Sequence, residues 1–282
     1  MPSRVGATAL PEVRCVDMRL MPKSTLFAPL LLDAMRERVR AMERQLAAVL
    51  ARFPDGPPPQ AHPDQWFGGR TYSQHGEDLV FQCLFQALGI ARPSYLDIGA
   101  HHPFHISNTA LMYERGSRGV NVEANPVLLQ AFLEHRPEDI NLHLAVAPEP
   151  GRQVLYMIDE RSGRNTLRRD VAEAFVAQDP RHGIRGTREV EAVTLDTLVA
   201  RHCGGRYPDL LTLDVEGLDF AILRSADFGD TGPKVICVET AHTCGDDAQD
   251  IDALLRGRGY FRAFRAVCNA VYVDERYREQ VM

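Results

Sequence analysis

The strongest constraint on this chain is a set of short apolar segments that stop abruptly at acidic or small residues. SYLDIG (94–99), GVNVEA (119–124), NLHLAVA (141–147), LLTLDVEG (210–217) and KVICVET (234–240) are each a few residues long and rich in Val, Ile and Leu. Segments that are apolar on both faces read as strands buried inside a parallel sheet. Between them, residues 108–115, 126–134, 218–225 and 246–258 can supply crossover helices. The alternation predicts an α/β domain with a doubly wound, mostly parallel sheet. Toward the end, YFRAF (260–264) and NAVYVDE (269–275) lie close enough to form a hairpin, which turns one terminal strand antiparallel. Residues 151–197 interrupt the pattern. There GRQVLYMID (151–159) and REVEAVTLDTL (188–198) look like strands around the polar stretch ERSGRNTLRRD (160–170), either a loop beside the site or a solvated excursion.

Ahead of this domain the pattern is different. Residues 1–27 show no period, whereas Leu32, Met35, Val39, Met42, Leu46, Val49 and Phe53 are spaced alternately three and four apart with charged residues between them. That is a heptad seam, and it predicts an N-terminal helical arm over residues 28–53. The arm either packs on the domain or pairs with a second copy through residues 32–53, making a homodimer. Pro54, Gly56 and Pro57 to Pro59 end it, and residues 54–69 read as a stiff linker to a domain at 70–282.

Composition narrows the partners. Of the 282 residues 45% are hydrophobic and 25% charged, enough for a sizeable core, and the formal net charge of −6 argues against a nucleic-acid partner. The apolar run at 26–32 is too short to span a bilayer, so the expectation is a cytoplasmic protein with no transmembrane segment. The six cysteines, Cys15, Cys83, Cys203, Cys237, Cys244 and Cys268, form no CxxC pair and read as buried reduced thiols.

In an open α/β sheet a ligand sits beyond the carboxyl ends of the strands. Here those ends carry Asp97, Glu123, Asp214 with Glu216, and Glu239. An acidic rim repels phosphates, and neither GxGxxG nor GxxxxGK[ST] occurs at the first turn, so NAD and ATP fit poorly. A cofactor with a ribose, an amino group and a positive sulfonium fits better, which points to S-adenosyl-L-methionine. Glu123, 26 residues after Asp97, is placed to accept both ribose hydroxyls, and Gly99 is expected to let the backbone approach the ligand.

In this order the segments YSQHGEDLV (72–80), LDIGAHHPFHISNT (96–109), GVNVEANP (119–126), VTLDTL (193–198), LLTLDVEGLDFAIL (210–223), KVICVE (234–239) and NAVYV (269–273) resemble the FkbM family of S-adenosylmethionine-dependent methyltransferases. The resemblance covers roughly residues 70–275 and leaves the arm and linker outside. It implies a seven-stranded, Rossmann-like class I methyltransferase core that most often methylates hydroxyls of sugars or glycan-bearing natural products. Carried onto this chain, it places Asp97, Gly99 and Ala100 along the methionine part of the cofactor, Glu123 on the ribose and Asn125 near the adenine, with Ala124 and Asp214 also among the cofactor-binding residues. Tyr72, Gln74 and Glu77 would cover the cofactor, although YSQHGED also reads as a helix start with Ser73 as cap. The commoner family turn is DxGANxGxxS; His101, His102 and Pro103 replace its asparagine and second glycine.

Transfer to a hydroxyl needs a base to take the proton. Asp214 is the best placed, with Glu216, His101, His102, His105 and His242 as further candidates. The carboxylates Asp214, Glu216 and Asp219 could also accept a divalent cation such as magnesium, or Glu216 and Asp219 could simply hold loop amides. The expected acceptor is a small molecule or glycan. Two other readings remain open from the sequence: N-methylation of an amine or peptide, and a binding module that works through the arm.

Overall fold

The computed structural model describes residues 70–179, 181–240 and 247–282, with side chains left aside at 247–249. The expected arm, the linker, Cys15, His242 and Cys244 therefore lie outside the described residues.

Residues 70–282 form one compact unit. Helix α1 (Glu77–Ala87) leads into strand β1 (Tyr95–Ile98), followed by α2 (Ala110–Glu114), β2 (Gly119–Val122), α3 (Pro126–His135) and β3 (Ile140–Leu142). After an excursion come α5 (Leu195–His202), β7 (Leu210–Leu213), α6 (Asp219–Ser225), β8 (Val235–Glu239) and α7 (Asp247–Gly257). The hairpin β9 (Tyr260–Arg265) and β10 (Asn269–Asp274) and a short α8 (Arg278–Val281) close the chain. The excursion holds β4 (Ala145–Val146), β5 (Gly151–Met157), α4 (Arg169–Gln178) and β6 (Gly186–Val193).

The main sheet has seven strands in the order β3-β2-β1-β7-β8-β10-β9. Strands β3, β2, β1, β7 and β8 run parallel, and β10 is antiparallel to both neighbours, as the terminal hairpin required. From β1 the chain winds outward to β2 and β3, then returns to β7 and β8 on the other side. The strand order thus reverses between β1 and β7, and a crevice opens at their carboxyl ends.

Why the strand segments are apolar throughout is plain from the packing. Leu96, Ile98, Val120, Val122, Leu211, Leu213, Ile236 and Val238 point to one face, against Leu198, Ile222, Leu223, Ile251 and Leu255 of the helices. Tyr95, Leu210, Val235, Cys237, Val271 and Val273 point to the other, against Phe81 and Phe85 of α1. With helices on both faces the central strands β1, β2, β7 and β8 are buried along nearly their whole length. Each such side chain contributes about 1.5–3 kcal/mol by burial.

Three segments depart from the sequence reading. NLHLAVA is two strands: Ile140–Leu142 extends the main sheet beside β2, while Ala145–Val146 pairs with β6 in a second sheet of order β4-β6-β5. His143 and Leu144 carry the chain between sheets, and the His143 ring bonds the Ala124 carbonyl at 3.0 Å. In REVEAVTLDTL the strand stops at Val193, because Thr194 caps α5, its hydroxyl accepting the Thr197 amide at 3.2 Å. Cys83 lies on the exposed side of α1, since the helical period turns Phe81, Leu84 and Phe85 inward instead. Of the other cysteines in the described residues, Cys237 is buried as expected, whereas Cys203 and Cys268 are half-buried; all three are free thiols.

Candidate active site

The turn after β1 is held by strand β2: the amides of Gly99 and Ala100 both donate to the Val122 carbonyl, at 3.0 and 3.2 Å. Gly99 has φ +77°, and a Cβ there would lie 1.7 Å from the carbonyl oxygen of Asp214. The glycine is required by the approach of two strand ends, a reason that stands beside the ligand approach expected from the sequence. Against this turn lies a cleft of about 300 Å³ whose polar wall includes Gln74, Asp97, Asn108, Asp214, Glu216 and Glu239. It adjoins a narrower slot of about 50 Å³, with which it shares Gly99, His101, Gly163 and Asp214. Val122, Leu128, Leu144 and Val146 give the slot apolar sides, and Glu123 stands at its edge.

Carboxylates outnumber cationic groups along this cleft. Glu123 is 8% exposed, and its two oxygens accept the amides of His101 and Asn125, each at 2.8 Å. Burial pushes its carboxyl up to about 7, although those amides pull the other way. Asp97 is pushed up to about 6, again by burial, and is partly relieved by the Thr109 hydroxyl 2.7 Å from Oδ2. Asp214 is raised well above the carboxylate range by burial and then by Glu239, Glu216, Asp219 and Asp97. A cation entering here would relieve all of them.

Asp219 has the loop-holding role weighed for it, its oxygens accepting the amides of Val215 and Gly217 at 3.1 and 3.2 Å. Glu216 turns out of the strand end with φ +56°. Its carboxylate joins those of Asp214 and Glu239, one oxygen of each lying within 4.8 Å of the others. Such a set could accept either a divalent cation or a ligand's ammonium. Glu239 here takes the place the sequence gave to Asp219.

Of the residues expected to hold a cofactor, Gln74, Asp97, Gly99, Ala100, Glu123, Ala124 and Asp214 line the cleft or the slot. Tyr72, Glu77 and Asn125 do not line either. Glu77 is buried behind the wall, accepting from Asn269 Nδ2 and the His75 amide, each at 2.8 Å. Tyr72 donates to Glu114 on the outer side of α2. Asn125 caps α3, its Oδ1 accepting the Val127 amide at 3.1 Å. Ser73 does meet the Asp78 amide at 3.3 Å, though Gly76 occupies the cap position of α1. His101 faces the cleft in the left-handed region, φ +56°, with its ring against the Arg161 carbonyl. His102 Nδ1 accepts the amides of Phe104 and His105 at 3.1 and 2.9 Å, a turn-holding arrangement, and burial lowers its pKa.

Residues 158–168, left open by the sequence, come over the cleft and are tied to all three functional turns. Asn125 Nδ2 donates to the Glu160 carbonyl at 2.8 Å, Thr166 Oγ1 to the Glu216 carbonyl at 2.7 Å, and the His101 ring packs against Gly163. The cleft is also lined by Arg164, Phe175 and His182. The Arg164 guanidinium lies 4.5 Å from the Phe175 ring centroid, and the rings of Phe175 and His182 are 5.1 Å apart. Nothing in the sequence marked these three, because they meet only through the fold of the excursion.

A family model for the methyltransferase FkbM domain matches residues 97–261, which include the end of β1, all of β2, β7 and β8, and the whole excursion. No curated protein and no solved structure matches the chain. Among the described residues no helix is long and apolar enough to cross a membrane.

Proposed function

Because this chain belongs to the FkbM methyltransferase family, we propose that it transfers a methyl group from S-adenosyl-L-methionine to a hydroxyl of a saccharide or glycosylated small molecule. The observation that carries this reading is the pairing of an apolar slot edged by Glu123 with a cleft walled by Asp97, Asp214, Glu216 and Glu239. A flat base suits the first, with Glu123 toward the ribose; an ammonium and a sulfonium suit the second. The cofactor supplies an electrophilic methyl group, so no covalent enzyme intermediate is needed. What remains for the chain is to align the acceptor, exclude water and take a proton.

Asp214 is the group for the proton. It sits just past β7 where the cleft and slot meet, and burial together with the carboxylates around it raises its pKa well above the carboxylate range, which makes the ionised group a stronger base. Positive charge from the cofactor lowers that pKa again and favours the ionised base once the site is filled. The Arg164, Phe175 and His182 wall offers an aromatic face with polar edges, which fits a sugar ring with its hydroxyl rim.

Calorimetric titration with S-adenosylhomocysteine tests the cofactor reading. The expectation is micromolar-range binding that Glu123→Ala removes while the protein stays folded. Absence of binding to the folded wild-type chain would overturn it.

A further inference from the structure

Arg136 ends α3 and has no exposed surface. A buried guanidinium is costly unless its charge and donors are met. Asp139 meets the charge: Nη2 lies 2.9 Å and Nε 3.0 Å from its Oδ2. The same carboxylate accepts from the Tyr95 hydroxyl, the Gly119 amide and Asn121 Nδ2, so it braces β1, β2 and the turn before β3. Nη2 also donates to the Tyr95 hydroxyl at 2.7 Å, and Nη1 reaches the Pro103 carbonyl at 3.5 Å. Both Nη1 and Nη2 of Arg136 converge on Thr109 Oγ1 as well, at 3.0 and 3.1 Å.

A guanidinium only donates, so the Thr109 oxygen is receiving and its own proton must go elsewhere. It goes to Asp97 Oδ2, 2.7 Å away. Thr109 stands at the cap position of α2, where a threonine hydroxyl usually accepts a first-turn amide, and it makes no such bond. The cap has been given over to Asp97, a carboxylate of the cleft wall.

We propose that Thr109, aimed by Arg136, is a positioning residue for the cofactor: it clamps Asp97 Oδ2 so that the carboxylate presents its other oxygen and its charge to the ligand's ammonium. The inference rests on the S-adenosylmethionine reading and adds to it two residues that touch no ligand.

Two ligands separate this role from a merely structural one. S-adenosylhomocysteine carries the amino-acid half; 5′-methylthioadenosine has the nucleoside half alone. Thr109→Val keeps the shape and removes the hydroxyl, and calorimetry should show S-adenosylhomocysteine weakened about tenfold, the scale of one hydrogen bond to a charged group. Binding of 5′-methylthioadenosine should be unchanged, and Thr109→Ser should restore the first ligand. Should the valine variant not fold, Thr109→Ala leaves room for water beside Arg136 and carries the same comparison. Equal weakening of both ligands, or no weakening of the first, would overturn the proposal. A wild-type chain that binds neither ligand would overturn the cofactor reading itself, and this inference with it.

Discussion

Glu123 gives both its oxygens to backbone amides while almost wholly shielded from water, and the cost of that position has a definite sign. In the unfolded chain the group ionises near 4.5; in the fold it holds its proton to about 7. Across that interval the folded state binds more protons than the unfolded, so stability falls as pH rises. Glu123 alone should contribute about 3 kcal/mol to the fall. Asp97, raised from 3.8 to about 6, acts in the same direction. Thermal denaturation of the ligand-free protein should therefore show a higher midpoint at pH 5 than at pH 7, with a flatter profile in Glu123→Gln; a midpoint rising with pH would contradict the charge arrangement. Asp214→Asn asks a different question of the neighbouring carboxylate. It removes the base but not the pocket, so methyl transfer should drop by about 10²–10⁴-fold with S-adenosylhomocysteine still bound. Turnover close to wild type would move the proton to another group, His101 first among them.

Among the elements, those buried on both faces were legible because most residues of β1, β2, β7 and β8 are apolar and buried. The acidic ends of these strands were legible for the same reason: Asp97, Glu123, Asp214 and Glu239 break apolar runs. Legibility failed where a contact joins residues distant in sequence. Arg136 looks like any arginine after a helix, and only the fold sets it beside Thr109, 27 residues earlier. NLHLAVA has the composition of one strand, and the change of sheet at His143 has no local signature. The polar stretch 160–170 was equally uninformative, since its bonds to Asn125 and Glu216 are to other turns. Those bonds make a prediction about the segment as a unit. Thr166 is buried, donates to the Glu216 carbonyl and accepts the Arg168 amide at 3.0 Å. Thr166→Val should cost about 1–3 kcal/mol. Hydrogen exchange should quicken over residues 158–168 while β1 and β7 keep their protection. Faster exchange spread evenly over the main sheet would mean that the excursion is part of the core rather than a cover tied onto it.

For the molecule as a whole, the family match and the described cleft residues fall within residues 70–282. The described core clusters, both sheets and the buried Arg136–Asp139 brace are likewise built from residues of this unit. A chain beginning at Arg70 should fold, and it should bind S-adenosylhomocysteine as the full chain does. The heptad seam of residues 32–53 then has a separable role. If it pairs two copies, sedimentation of the full chain should give the mass of a dimer and the shortened chain that of a monomer, with equal ligand affinity in both. A shortened chain that stays dimeric would place the interface within 70–282, where the edge strand β9 is a candidate because, among the described residues, it has a strand partner on one side only. A shortened chain that folds but loses the ligand would show that the first 69 residues complete the cleft, and the arm would then belong to the enzyme's site rather than to its assembly.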